Sequence, residues 1–255
     1  MRWAPAIAVL CAGWLLHTTA TAQTDRSGLR PEVLKLPGTP GSIAGIGDAF
    51  EAPGNSGAAS YGVAIAMPPG IGDLQPQLRL TYSGGGGNGP VGMGWALSVP
   101  KVVRATHRGL PTYTDSDLLL LYGDAQGTRH PLVRVADGTL RPRIEGAFVR
   151  GKPAPGGFAF ETPDGGELIF GGPGCSQTNS APGDGDATYA WLLCEQRDVR
   201  GHTVRYHYVD LDGRLYLDSA VYNDLAPEAR AEVRFRWEPR PDALVDYKPG
   251  FALRT

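Results

Sequence analysis

Apolar and polar residues alternate in short runs along most of this chain, and each run is closed by Gly, Pro, Asn or Asp. The clearest runs are 60–67, 77–82 and 95–104. A period of two bounded by turn residues predicts half-buried antiparallel strands. The same pattern predicts strands at 117–122, 131–135, 146–150, 157–161, 166–170, 189–197, 202–209, 214–222 and 231–237. No helical repeat interrupts them, and Ala226 to Ala231 is the one short helix candidate. Asp137-Gly138, Asp164-Gly165 and Asp212-Gly213 accept the positive φ angles of tight hairpins. The pattern predicts an all-β protein of many short antiparallel strands with Gly/Pro-rich turns. Its strands would stack as a sandwich, as propeller-like blades or as part of a β shell.

The first residues break this pattern. Met1-Arg2 precedes the apolar run Ala4 to Leu16, and Ala20-Thr21-Ala22 has the small-x-small form of a cleavage site. This predicts a signal peptide at 1–22, a flexible leader at 23–37 and a β domain at 38–255. The apolar run is shorter than the roughly 18 residues that span a bilayer. No later segment is more apolar, so no stable membrane span is expected. Cys11 follows Leu10, where a lipoprotein signal wants a small residue. The expectation is therefore an exported protein, periplasmic or secreted to the extracellular region.

Composition narrows the function. The 36 Gly and 22 Pro are spread along the chain, which suits many turns and disfavours long helices. A formal net charge of −2 supplies no basic field for nucleic acid. Cys175 and Cys194 would meet an oxidising compartment and can pair as a disulfide. Equally, Cys194 in the run Ala190 to Cys194 can be a small buried hydrophobe.

Motifs that carry chemistry are weak or absent. Gly87 to Gly92 has the form G-x-G-x-x-G, but Pro90, Gly92 and Gly94 punctuate it and a strand follows, not the helix a dinucleotide needs. His202 and His207 are an odd number of residues apart, which puts them on opposite faces of a strand. Asp184 and Asp186 are too few for calcium. Asp115 and Asp117 read as turn formers before Leu118 to Leu121. There is no G-x-S-x-G elbow. These readings leave no catalytic residues, no metal ligands and no cofactor.

Four blocks of residues carry a resemblance. Ile46 to Phe50, Asn55 to Tyr61 and Met67 to Gly70 form the first. Pro76 to Ser83 and Gly87 to Trp95 form the second. Gly109 to Tyr113 with Asp115 to Asp117 form the third. Trp191 to Glu195, Asp198 to Gly201 and Tyr206 to Tyr208, with the closing Tyr247 to Thr255, form the fourth. In this order and spacing they resemble the amino-terminal domain of the Salmonella virulence plasmid B proteins (SpvB-like) and of insecticidal Tc toxin B components. Asp198 to Leu215 also resembles one Tyr-Asp repeat unit of Rhs-type shell proteins. The resemblance implies structural roles for Gly47, Phe50, Gly57, Tyr61, Pro69, Tyr82, Gly89, Gly92, Gly94, Trp95, Asp115, Asp117, Trp191, Gly201 and Tyr208.

In that family the domain opens a longer polypeptide, followed either by repeats that build a shell around a toxic cargo or by an ADP-ribosyltransferase. The Glu-x-Glu motif of that transferase class does not occur in this sequence. The resemblance thus implies a non-catalytic scaffold of a virulence protein, truncated at its carboxy-terminal side. Its partners would be other toxin subunits or a downstream β-repeat shell. The alternative is a secreted carbohydrate-binding or cell-surface adhesive β protein, which an aromatic platform in a groove with convergent acids would favour. A shell role further predicts unpaired edges at 202–209 and 231–237.

Overall fold

The computed structural model describes residues 60–123, 128–178, 187–224 and 227–254. The proposed signal peptide and leader, with Gly47, Phe50, Gly57 and the Asp184/Asp186 loop, lie outside them. Strands β1 (Ser60–Ala64), β2 (Arg79–Ser83), β3 (Asn88–Gly89), β4 (Gly92–Met93) and β5 (Trp95–Ser98) come first. β1, β2 and β5 form a three-stranded antiparallel sheet, and β3 and β4 form a small hairpin. The glycine-rich stretch is thus a hairpin between strands, and the formal G-x-G-x-x-G opens no helix. Gly92 and Gly94 take φ of 120° and 75°, which side chains rarely tolerate.

Eight strands then close into a barrel. They are β6 (Lys101–Arg104), β7 (Leu119–Tyr122), β8 (Arg129–Arg134), β9 (Leu140–Pro142), β10 (Arg150–Ala154), β11 (Gly157–Glu161), β12 (Glu167–Gly171) and, after the short β13 (Ser176–Thr178), β14 (Thr188–Arg197). β14 closes the ring. It pairs with β6 through Ala190↔Val103 to Leu192↔Lys101 and with β12 through Glu167↔Arg197 to Phe170↔Leu193. β13 continues β12 along the same side of β14.

A meander leaves the barrel from β14. β15 (Thr203–Leu211), β16 (Arg214–Tyr222) and β17 (Ala231–Arg234) pair in order, and β15 joins β14 at Glu195↔Arg205 to Arg197↔Thr203. Between β15 and β16 both Asp212 (φ 54°) and Gly213 (φ 84°) are left-handed, the geometry of a two-residue hairpin loop. β18 (Val245–Asp246) and β19 (Leu253–Arg254) form a last hairpin. The helix candidate at 226–231 is a single 3-10 turn at Pro227–Ala229.

One apolar core runs through barrel and meander. Val102, Leu121, Phe160, Phe170, Trp191 and Leu193 fill the barrel, and Leu78, Val204, Leu217, Ala220 and Tyr222 continue the cluster beyond it. Phe160 meets Phe170 edge-on at 5.5 Å, and Phe158 meets Trp191 at 4.9 Å. Tyr222 donates its hydroxyl proton to the Pro68 carbonyl at 2.8 Å, tying the segment before β2 to the meander.

Three expectations need correction. The run 95–104 is two strands, because Val99-Pro100 breaks it and the chain passes there from the small sheet into the barrel. The strand expected at 146–150 lies instead at Arg150–Ala154; Phe148 has φ 48°, which no strand holds. The meander edge is β17 alone: β15 lies between β14 and β16.

Candidate functional site

The third motif block folds into a polar clasp on one end of the barrel. Arg104, the last residue of β6, donates from Nε to the Thr188 carbonyl at 2.9 Å. It also donates from Nη1 to the Thr114 carbonyl at 2.9 Å and to Asp117 Oδ2 at 2.8 Å. Its guanidinium lies 5.3 Å from the Tyr113 ring centroid and 5.2 Å from that of Trp191. Asp117 accepts as well from the Thr112 amide (2.9 Å), the Thr112 hydroxyl (2.7 Å) and the Tyr113 amide (2.8 Å).

Burial penalises the Asp117 carboxylate. The amides, the hydroxyl and the Arg104 guanidinium more than offset this and hold its pKa below the usual carboxylate value. Burial, opposed by Arg104, pushes the Tyr113 phenol up to about 12. Tyr113 itself has φ 58° and donates its hydroxyl proton to the Pro249 carbonyl at 2.5 Å. The clasp thus uses its donors and acceptors on the protein itself. Asp115 stands apart, exposed, 3.6 Å from Arg134.

The aromatic residues of the first two blocks do not fill the barrel. Tyr61, Tyr82 and Trp95 lie in register across β1, β2 and β5 and make a half-buried row on the small sheet. Their rings meet at 6.4 Å (Tyr61 and Trp95) and 5.4 Å (Tyr82 and Trp95). Of the motif residues Tyr61, Tyr82, Trp95 and Trp191, only Trp191 is in the barrel core. Tyr208 ties β15 to β14 by donating to the Leu193 carbonyl at 2.6 Å. Gly201 turns the chain between those strands with φ 87°, Gly89 sits in β3, and Pro69 is exposed before the 3-10 turn Ile71–Asp73.

Cys175 and Cys194 form a disulfide with Cα atoms 5.7 Å apart. It fastens the link between β12 and β13 to β14, beside the amide of Leu192, which donates to the Cys175 carbonyl at 2.8 Å. His202 bonds through Nδ1 to Asp198 Oδ2 at 2.7 Å within its own turn, while His207 is exposed on β15. Among the described residues no three His, Cys, Asp or Glu side chains are grouped to hold a metal ion.

A feature missed by the sequence reading lies where the chain after β17 returns across the molecule. Trp237 donates from Nε1 to the Leu217 carbonyl at 2.8 Å, and Tyr216 donates its hydroxyl proton to the Arg254 carbonyl at 3.2 Å. Arg240 donates to Asn88 Oδ1 at 2.8 Å, to the Gly89 carbonyl at 2.5 Å and to Asp242 Oδ2 at 2.6 Å. Hydrogen bonds from Arg240 and Asn88 hold the Asp242 pKa down at about 2. Between the returning segment and the β15–β16 turn is a cleft of about 680 Å³. Only long-range packing assembles it, so no local signal could have revealed it.

An eight-stranded antiparallel barrel with an attached meander, clasped at its loops, defines the class: an all-β domain built on a closed barrel. Residues 53–137 match the family model for the Salmonella virulence plasmid 65kDa B protein. It is 29% identical over 234 residues to the mono(ADP-ribosyl)transferase SpvB of Salmonella choleraesuis, covering 75% of this chain and 39% of that one. The chain therefore spans about two fifths of the length of that relative. Its fold is similar to the TcdB2-TccC3-TEV crystal structure (TM-score 0.68, 24% identity, 86% of this chain and 14% of that one). It is also similar to the N-terminal domain of the effector protein SpvB from Salmonella typhimurium (TM-score 0.59, 22% identity, 76% and 83%).

Proposed function

We propose that this chain serves as a non-catalytic assembly domain of a secreted bacterial virulence protein or toxin, a scaffold on which further β structure docks. The observation that carries this reading is the free edge of the meander. β17 pairs with β16 on one side, and no other strand lies beside it among the described residues. Phe235 donates its amide to the Asp218 carbonyl on β16. Alternation then turns the backbone of Glu232 and Arg234 outward, where an added strand would pair. Ile144 (78% exposed) and Phe148 (67% exposed) add apolar surface on one barrel loop.

The likeness to part of much larger toxin polypeptides supports the same reading. The test mixes the full chain with a Tc-type shell from which the corresponding domain has been deleted. Co-migration on gel filtration is expected; separate migration contradicts it. Export belongs to the proposal as well, and an intact mass beginning at Gln23 after secretion checks it. Among the described residues no helix is long and apolar enough to cross a membrane.

A further inference from the structure

We propose that the cleft between the β15–β16 turn and the extended segment after β17 is a binding site for a neutral saccharide. Its volume of about 680 Å³ falls within the range of small-ligand sites and holds more than one sugar ring. One wall is the pair Tyr216 and Trp237, with ring centroids 4.7 Å apart and planes at 58°. Both rings have their polar atoms committed inward, to the Arg254 and Leu217 carbonyls. The rings are thereby fixed; Tyr216 is buried behind Trp237, and the carbon surface of the half-buried Trp237 ring is what the wall mainly offers a ligand. An aromatic wall of this kind packs the C–H face of a pyranose.

Two carboxylates complete the site. Asp212, on the β15–β16 turn, and Glu238, next to Trp237, line the cleft and are exposed. Neither makes a hydrogen bond or ion pair with the described residues, so their oxygens are ready to accept from hydroxyl groups. Charge selects the class of ligand. Asp210, which accepts from the Gly213 amide, adds a third acid to the lining; Arg254 and Arg240 oppose the acids, but Arg240 is already held by Asp242. An anionic sugar would be repelled. A quaternary ammonium wants rings facing one another across a gap. Here the rings pack on each other and leave none. A neutral polyol with many donors fits both the wall and the acids.

The experiment probes the full chain on an array of neutral, sialylated and sulfated oligosaccharides, with choline as a cationic control. Titration calorimetry then measures the best neutral oligosaccharide against the wild type, Glu238→Gln and the double variant Asp212→Asn/Glu238→Gln. Retention of neutral glycans is expected, with affinity weakened about tenfold or more in the double variant at an unchanged melting temperature. Glu238→Gln, an exposed change, should weaken binding by a smaller factor and keeps the test valid if the double variant does not fold. No neutral glycan retained, retention confined to anionic glycans or choline, or wild-type affinity in both variants would overturn the proposal.

Discussion

Asp117 holds four donors at once, and through Arg104 it links the loop after β6 to β14. Arg104 has a side chain only 13% exposed, so removing its partner leaves a largely buried guanidinium without its carboxylate. Asp117→Ala should cost about 2–4 kcal/mol of unfolding free energy, read from urea melts at neutral pH. The carboxylate is held below its ordinary value of 3.8 in the folded state. Its contribution is therefore complete above that value and is lost as pH falls through the folded-state value. Melts between about pH 5 and pH 3 should show the wild type losing more stability than Asp117→Asn. The short spacing Asp115-Ser116-Asp117 announced a turn. It could not say that Asp117 serves the clasp while Asp115 faces solvent, because that depends on Arg104 arriving from another strand.

At the scale of elements, alternation located the long hairpins well. The strands at 157–161 and 214–222 stand where the pattern puts them, and Asp212-Gly213 makes the turn its dipeptide promises. It failed where glycine and proline sit inside strands. β10 reads Arg-Gly-Lys-Pro-Ala and does not alternate, and β9 reads Leu-Arg-Pro, too short for a period to be read; the barrel's neighbouring strands pair with both. Gly171, at the end of β12, shows the opposite constraint. Its φ is 81°, and a Cβ there would lie 2.4 Å from Trp191 Cδ1. The disulfide acts on the neighbouring segment. It closes a sequence separation of 19 residues, so reduction, or Cys175→Ala with Cys194→Ala, should lower stability by about 3 kcal/mol. Urea melts with and without a thiol reductant measure this. Equal midpoints would show that the hydrogen bonds of β13 and β14 hold the link unaided.

Over the whole molecule, the closed barrel was not legible in the chain. Closure depends on β14 meeting β6 and β12 on its two sides, and β6 lies far away in sequence. What alternation could show was the supply of antiparallel strands; which two become neighbours is decided by packing Phe160, Phe170, Trp191 and Leu193 into one core. The meander has no such closure. It ends at β17, guarded on its solvent face by the Glu232–Arg234 ion pair at 2.6 Å but with outward backbone groups unpaired by any described strand. An assembly domain uses such an edge to accept a strand.

Sedimentation velocity over a range of concentrations, comparing the full chain with Glu232→Pro, tests this most directly. Proline removes an outward N–H and leaves the pairing with β16 intact. The wild type is predicted to associate as concentration rises, and the variant to stay monomeric with the same thermal melt. A wild type that remains a single monomeric species throughout, with a cooperative melt, would contradict the scaffold reading.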